Sequence, residues 1–185
     1  TGYYRVCGIN LKSAEAEQLY DVTGGWISAL YLFMIEYNAE GSYSPVKNIY
    51  TLIEKAVYVP LSDEMKDFVI IMCVFESFTS EQAVYMRGKE NTGQLLKELT
   101  GKNAFVKYDG KLKTYHMHKI FCDFLQEELN RKDISRRQGI YQKAGHWYLK
   151  TGNYIIARHY FYQCGDFDNV LLALEEDRSN SFTNE

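Results

Sequence analysis

Proline is scarce, at two residues in 185, and cysteine is no commoner than four. With 46% hydrophobic and 24% charged residues, so little proline excludes a disordered or proline-rich chain and leaves a globular one, large enough for one ordinary domain or two small ones. The cysteines, Cys7, Cys73, Cys122 and Cys164, are dispersed and make no C-x-x-C pair. Zinc sites draw on ligand pairs two to four residues apart, so the pattern argues against a metal and for buried thiols in a reducing compartment. No apolar run approaches the roughly 18 residues that cross a bilayer, and no signal peptide is visible. A cytoplasmic protein with no membrane partner is the expectation. Excess positive charge is missing too: the net charge is −3 and the pI about 5.8, against a dedicated nucleic-acid binder.

Two chemical signatures are also absent. There is no G-x-x-x-x-G-K-[ST] loop, hence no phosphate cradle or P-loop lysine. No serine, histidine or acid stands at a spacing that suggests a nucleophile with its base and orienter, so no enzyme activity is expected of these residues and no resident cofactor. The chain opens on Thr1 rather than methionine, and we expect it to be a piece of a longer protein.

What the chain does have is aromatic side chains, 16 tyrosines and 10 phenylalanines, suited to packing helices on one another. Leu11 to Asn38 predicts helix, turn, helix, with Ser13 placed to cap the first and Gly24-Gly25 breaking the pattern before the apolar run Trp26 to Met34. After a turn-rich link from Gly41 to Pro45, Val46 to Val57 predicts another helix.

From Pro60 the order becomes more specific. Ser62 is placed to cap a helix with Met65, Phe68, Ile71, Met72 and Phe75 at helical spacing. Thr79-Ser80-Glu81-Gln82 is a capping box that opens a second helix, stopped by Gly88. Asn91 to Leu99 predicts a third, with Leu95, Leu96 and Leu99 inward. Ala104 to Met117 then alternates about Asp109-Gly110, a two-residue hairpin signal, and His118 to Leu129 predicts an amphipathic helix. Three helices followed by a β-hairpin is the winged-helix order.

After the charged link Arg131 to Arg137, Gly145-x-x-Tyr148, Gly152, Tyr154 and Ala157-x-x-x-Phe161 match the second half of a tetratricopeptide repeat, with Tyr141 at its tryptophan position. Gly165-Asp166-Phe167 begins a further helix, Glu175-Glu176-Asp177 reads as a solvated acidic end, and Asp177 to Glu185 reads as a frayed linker. The expected fold is mainly α: a helical remnant over 1–58, a winged helix with one β-hairpin wing over 59–130, and a tetratricopeptide-like helical hairpin over 131–185.

Thr23-Gly24-Gly25-Trp26-Ile27-Ser28-Ala29-Leu30, then Tyr115-His116-Met117-His118-Lys119-Ile120-Phe121, then the helical repeat form an ordered set. The set resembles the large ATP-dependent LuxR-type bacterial transcription regulators, the MalT-like members of the STAND class of signalling ATPases. The resemblance covers nearly the whole chain. It implies the end of a helical lid domain, a winged helix and the start of a sensor-repeat region. By the same resemblance, the neighbours are an upstream nucleotide-binding domain and downstream helical repeats, and DNA is contacted through a C-terminal helix-turn-helix that this chain lacks. ADP or ATP is expected in the full-length protein.

In such relatives a glycine-x-proline turn of the lid packs on adenine. The matching residues here are Gly25, Trp26 and Ile27, with isoleucine in place of proline. A Met-His-Asp motif of the winged helix holds the ADP β-phosphate through its histidine. It reads Met117-His118-Lys119 here, the histidine kept and the acid replaced. Competing readings are a capping or packing role for His118 and a core role for Trp26. The lysines Lys102, Lys107, Lys111 and Lys113 form a second candidate site, a basic wing for phosphates or DNA. A nucleotide-independent interaction module is the third reading.

Overall fold

The computed structural model describes residues 12–23, 30, 34, 47–102 and 105–182. The chain divides into two compact units, Thr1–Ser62 and Asp63–Glu185. In the first, helix α1 spans Ser13–Thr23, and the Glu15 carboxylate accepts the Lys12 backbone N–H at 2.7 Å, satisfying one donor at the helix start. Helix α2, Lys47–Ile53, runs on into a π-helical turn over Glu54–Tyr58, with Ile49 and Ile53 buried.

The second unit begins with helix α3, Asp63–Met72, which buries Met65, Phe68, Val69, Ile70 and Met72. The expected continuation to Phe75 is not made. The carbonyls of Cys73 and Val74 are instead taken by side chains from later helices, and a short strand β1, Ser77–Thr79, follows. Helix α4, Ser80–Arg87, opens on the capping box read from the sequence: Gln82 N–H donates to Thr79 Oγ1 at 3.1 Å and Thr79 N–H to Gln82 Oε1 at 2.9 Å. Gly88, at φ +67°, closes it in the left-handed conformation that glycine adopts without penalty. The Arg87 side chain, only 2% exposed, reaches Glu64 and Asn91 and so ties α3 to the turn before helix α5, Thr92–Lys102. Leu95, Leu96 and Leu99 are buried as their spacing predicts.

Strands β2, Val106–Asp109, and β3, Thr114–Met117, form the wing. The hairpin wing is as expected, with one strand added to it and its turn corrected. The sheet has three antiparallel strands in the order β1-β3-β2, because β1 pairs with β3 through Ser77↔His116 and Phe78↔Tyr115. The hairpin also lacks a two-residue turn: Asp109 pairs with Thr114, leaving 110–113 as the loop. Asp109 Oδ1 accepts the backbone N–H of Lys111 at 2.8 Å and of Leu112 at 3.1 Å, and Lys113, not Gly110, takes the positive φ of +55°.

Helix α6, Lys119–Asn130, buries Ile120, Phe121, Phe124, Leu125 and Leu129 on one side. Helix α7, Ile134–Lys150, is capped by Asp133, and helix α8, Tyr154–Gln163, by Asn153. The two pack closely where Gly145 faces the Phe161 ring: a Cβ on Gly145 would lie 2.6 Å from it. Helix α9, Phe167–Phe182, stacks on α8, with Phe161, Ala157 and Ala173 as the shared core. It runs through most of the stretch expected to fray. No glycine or proline interrupts 167–182, Ser179 Oγ bonds back to Glu175 O at 2.9 Å, and Arg158 pairs with Asp177 at 3.8 Å.

Candidate functional site at the His118 junction

His118 stands between β3 and α6, and both neighbours hold its backbone. Its N–H donates to Phe105 O at 2.7 Å, carrying the sheet bonding one residue past β3. Its carbonyl accepts from Phe121 N at 2.9 Å and Cys122 N at 3.1 Å, which starts the helix. His118 is therefore the N-cap residue in backbone terms, at φ −64° and ψ 135°, but its side chain makes no capping bond. Side-chain capping, one of the competing readings, is thus not what the imidazole does. The ring is half-buried, with Nδ1 screened from solvent. Burial first, and the charge of Lys107 on β2 second, hold its pKa below the usual imidazole value. The ring sits beside a cation at the start of a helix, a setting that favours an approaching anion.

Lys119, which stands where the resembled motif carries an acid, is exposed and pairs with Asp123 one turn along α6 at 3.3 Å. His116 is exposed, as its place in the strand predicts, and its Nε2 lies 2.8 Å from Thr114 Oγ1. Lys107, Lys111 and Lys113 are exposed on the wing and form no ion pair among the described residues. Lys102 closes α5, and its side chain lies outside the described residues, as do Gly25, Trp26 and Ile27 altogether. The junction therefore brings His118 and Lys107 together and leaves Lys111 and Lys113 on the distal loop.

Sequence reasoning missed the contacts that fasten the winged helix to the repeat helices. Tyr160 Oη donates to Val74 O at 2.7 Å. Gln126 Nε2 donates to Cys73 O at 2.8 Å, while Gln126 Oε1 accepts from Tyr141 Oη at 3.2 Å. Gln82 Nε2 donates to Tyr148 Oη at 3.2 Å. Phe75 packs on the stacked pair Tyr148 and Tyr160, whose ring centroids are 5.4 Å apart. The abundance of tyrosine hinted at such an interface, but partners up to 86 residues apart were not legible. The fastened segment leads directly into β1, which pairs with the strand that ends at the junction.

Among the described residues, no group of three or more His, Cys, Asp or Glu could hold a metal ion, and no helix is long and apolar enough to cross a membrane. The architecture is that of a winged helix continued by stacked repeat helices. Residues 54–137 match the MalT winged helix domain. The chain is also similar to the serine/threonine-protein kinase PknK of Mycobacterium tuberculosis, at 22% identity over 182 residues, covering 94% of this chain and 16% of that protein. PknK of Mycobacterium bovis matches to the same extent. The chain thus spans 16% of the length of the curated relatives it matches.

Proposed function

We propose that this chain is a regulatory relay in an ATP-dependent, LuxR-type transcription regulator of the STAND class, coupling nucleotide state to its sensor repeats. The observation that supports it is the fastening of Cys73 and Val74 to helices α6 and α8, immediately before the strand that pairs beside the His118 junction. A shift of the repeat helices has a short covalent and hydrogen-bonded route to His118. Catalysis has no part in this segment, and the kinase activity in the relatives' name remains theirs.

The junction suits a phosphate. His118 is half-buried at a helix start with Lys107 beside it, and its side chain is not spent on capping that helix. ADP or ATP bound by an upstream domain would supply the anionic phosphate, with His118 donating a ring N–H to it and Lys107 adding charge. Such a bond contributes about 1.5–3 kcal/mol net. If made only in the ADP-bound closed form, it biases that form by roughly 10- to 150-fold. Release on exchange to ATP, assisted by a ligand on the repeats, would free the winged helix for activation, with DNA contacted through a separate C-terminal helix-turn-helix.

The test is ADP and ATP affinity of the full-length protein with and without His118→Ala. Weaker ADP binding by about tenfold, with ATP little changed, is expected; unchanged ADP affinity would remove His118 from the mechanism. A second reading, direct DNA binding by the wing, draws on the three exposed lysines Lys107, Lys111 and Lys113, which form no ion pair among the described residues. A salt-dependent DNA affinity of this chain, lost on replacing those lysines, would favour it over the relay.

A further inference from the structure

A cleft of about 430 Å³ opens beside the segment that precedes β1, within the size range of small-molecule sites. It is separate from the His118 junction, and nothing in the relay reading requires it. One side is hydrocarbon: Val74 with Ile155 and Ile156, which are 66% and 37% exposed although they open a helix otherwise packed into the repeat. Another is aromatic, from Tyr148 and Tyr160. Its lining includes the carboxylate of Glu76, which is exposed and forms no ion pair among the described residues.

No lysine or arginine lines the cleft, and His159 is its one basic side chain. Burial, then Tyr148, Tyr141 and Glu76, push the Tyr160 hydroxyl well above the usual tyrosine range, so Glu76 is the acid of the cleft. A carboxylate with no ion-pair partner, aromatic rings and an adjoining hydrocarbon wall together match one ligand chemistry. An ammonium group is attracted by the carboxylate and by π-systems, and an alkyl tail gains from covering exposed isoleucine. We infer that this cleft binds a small amphiphilic amine, its ammonium on Glu76 and its hydrocarbon along Val74, Ile155 and Ile156. Because Tyr160 and Val74 both line the site and are bonded to each other, an occupant lies directly against that fastening.

The probe is hexylamine, titrated at pH 8 into the ¹⁵N-labelled chain and followed by amide chemical shifts, with hexanol and hexanoate as isosteric controls. Saturable shifts confined to the amides of 74–77 and 155–160, with hexylamine binding tighter than either control, are expected. Glu76→Gln lies on the surface, so the fold tolerates it. It should weaken hexylamine about three- to fivefold, the range of an exposed ion pair, and leave hexanol unchanged. Ile155→Ser should weaken hexylamine and hexanol alike. Hexanoate binding as well as hexylamine would assign charge recognition to His159 and overturn the proposal. Indifference of hexylamine to Glu76→Gln, or the absence of saturable shifts at these amides, would overturn it equally.

Discussion

The Tyr160 hydroxyl donates to the backbone carbonyl of Val74 across 86 residues of sequence, at 2.7 Å. This bond holds a helix of the repeat to the chain just before β1, the strand that pairs with β3 of the wing. Tyr160 is otherwise surrounded by rings, with Phe75, Tyr148 and Tyr141 all in contact with it. Its hydroxyl is therefore the polar end of an apolar plug.

Tyr160→Phe keeps the plug and removes the donor, leaving the Val74 carbonyl to find another partner. A loss of about 1 kcal/mol in denaturant unfolding is expected, the net contribution of a part-buried hydrogen bond. Hydrogen exchange should quicken in 73–79 more than in helices α3 or α6. Uniform quickening across the whole second unit would mean that the bond stabilises without coupling.

Gly145 and Gly139 lie on the same helix and should respond oppositely to alanine. A Cβ at Gly145 would lie 2.6–2.9 Å from three atoms of the fully buried Phe161 ring. Gly145→Ala should therefore cost about 1–3 kcal/mol through forced repacking. At Gly139 nothing lies within 4 Å of the added atom, and Gly139→Ala should stabilise by about 0.5–1 kcal/mol through helix propensity. Urea melts of the two variants decide this directly.

His118 should titrate below an ordinary histidine when followed by NMR, since burial and then Lys107 oppose its protonation. Lys107→Met should raise that pKa part of the way, leaving the burial contribution. The unfolded chain binds the proton more readily than the folded one, so His118 subtracts stability as pH falls from about 6.5 toward the folded pKa and adds nothing above it. Bound phosphate reverses the shift by favouring the imidazolium. A His118 pKa that rises when nucleotide binds to the full-length protein would tie the ring to the phosphate, and one that stays put would separate them.

Much of the winged helix was legible because its punctuation is local. Thr79 and Gln82 are three residues apart and cap one another whatever the remainder of the chain does. Gly88 stops a helix at a positive φ that other residues adopt at a cost. His118 fell at a strand-to-helix junction because the alternation around Asp109 gives way to helical spacing there. Helix α9 was cut short for the opposite reason: the polar run after Leu174 looks like solvent-exposed linker, yet it carries no breaker and continues a helix anchored upstream by Phe161 and Ala173.

The sequence by itself determined the Thr79–Gln82 capping box with its Gly88 stop and the order of winged helix and repeat, since capping, glycine geometry and apolar spacing act over a few residues. Only the tertiary structure decided that Ser77–Thr79 is a strand, because three residues have no periodicity to read and become extended by pairing with Thr114–His116. It also decided the hairpin loop, where the Asp109 carboxylate closes four residues in place of two. It alone joined Tyr160 to Val74 and Gln126 to Cys73, since a carbonyl that leaves a helix can be satisfied by any donor that packing brings near, however distant in the chain.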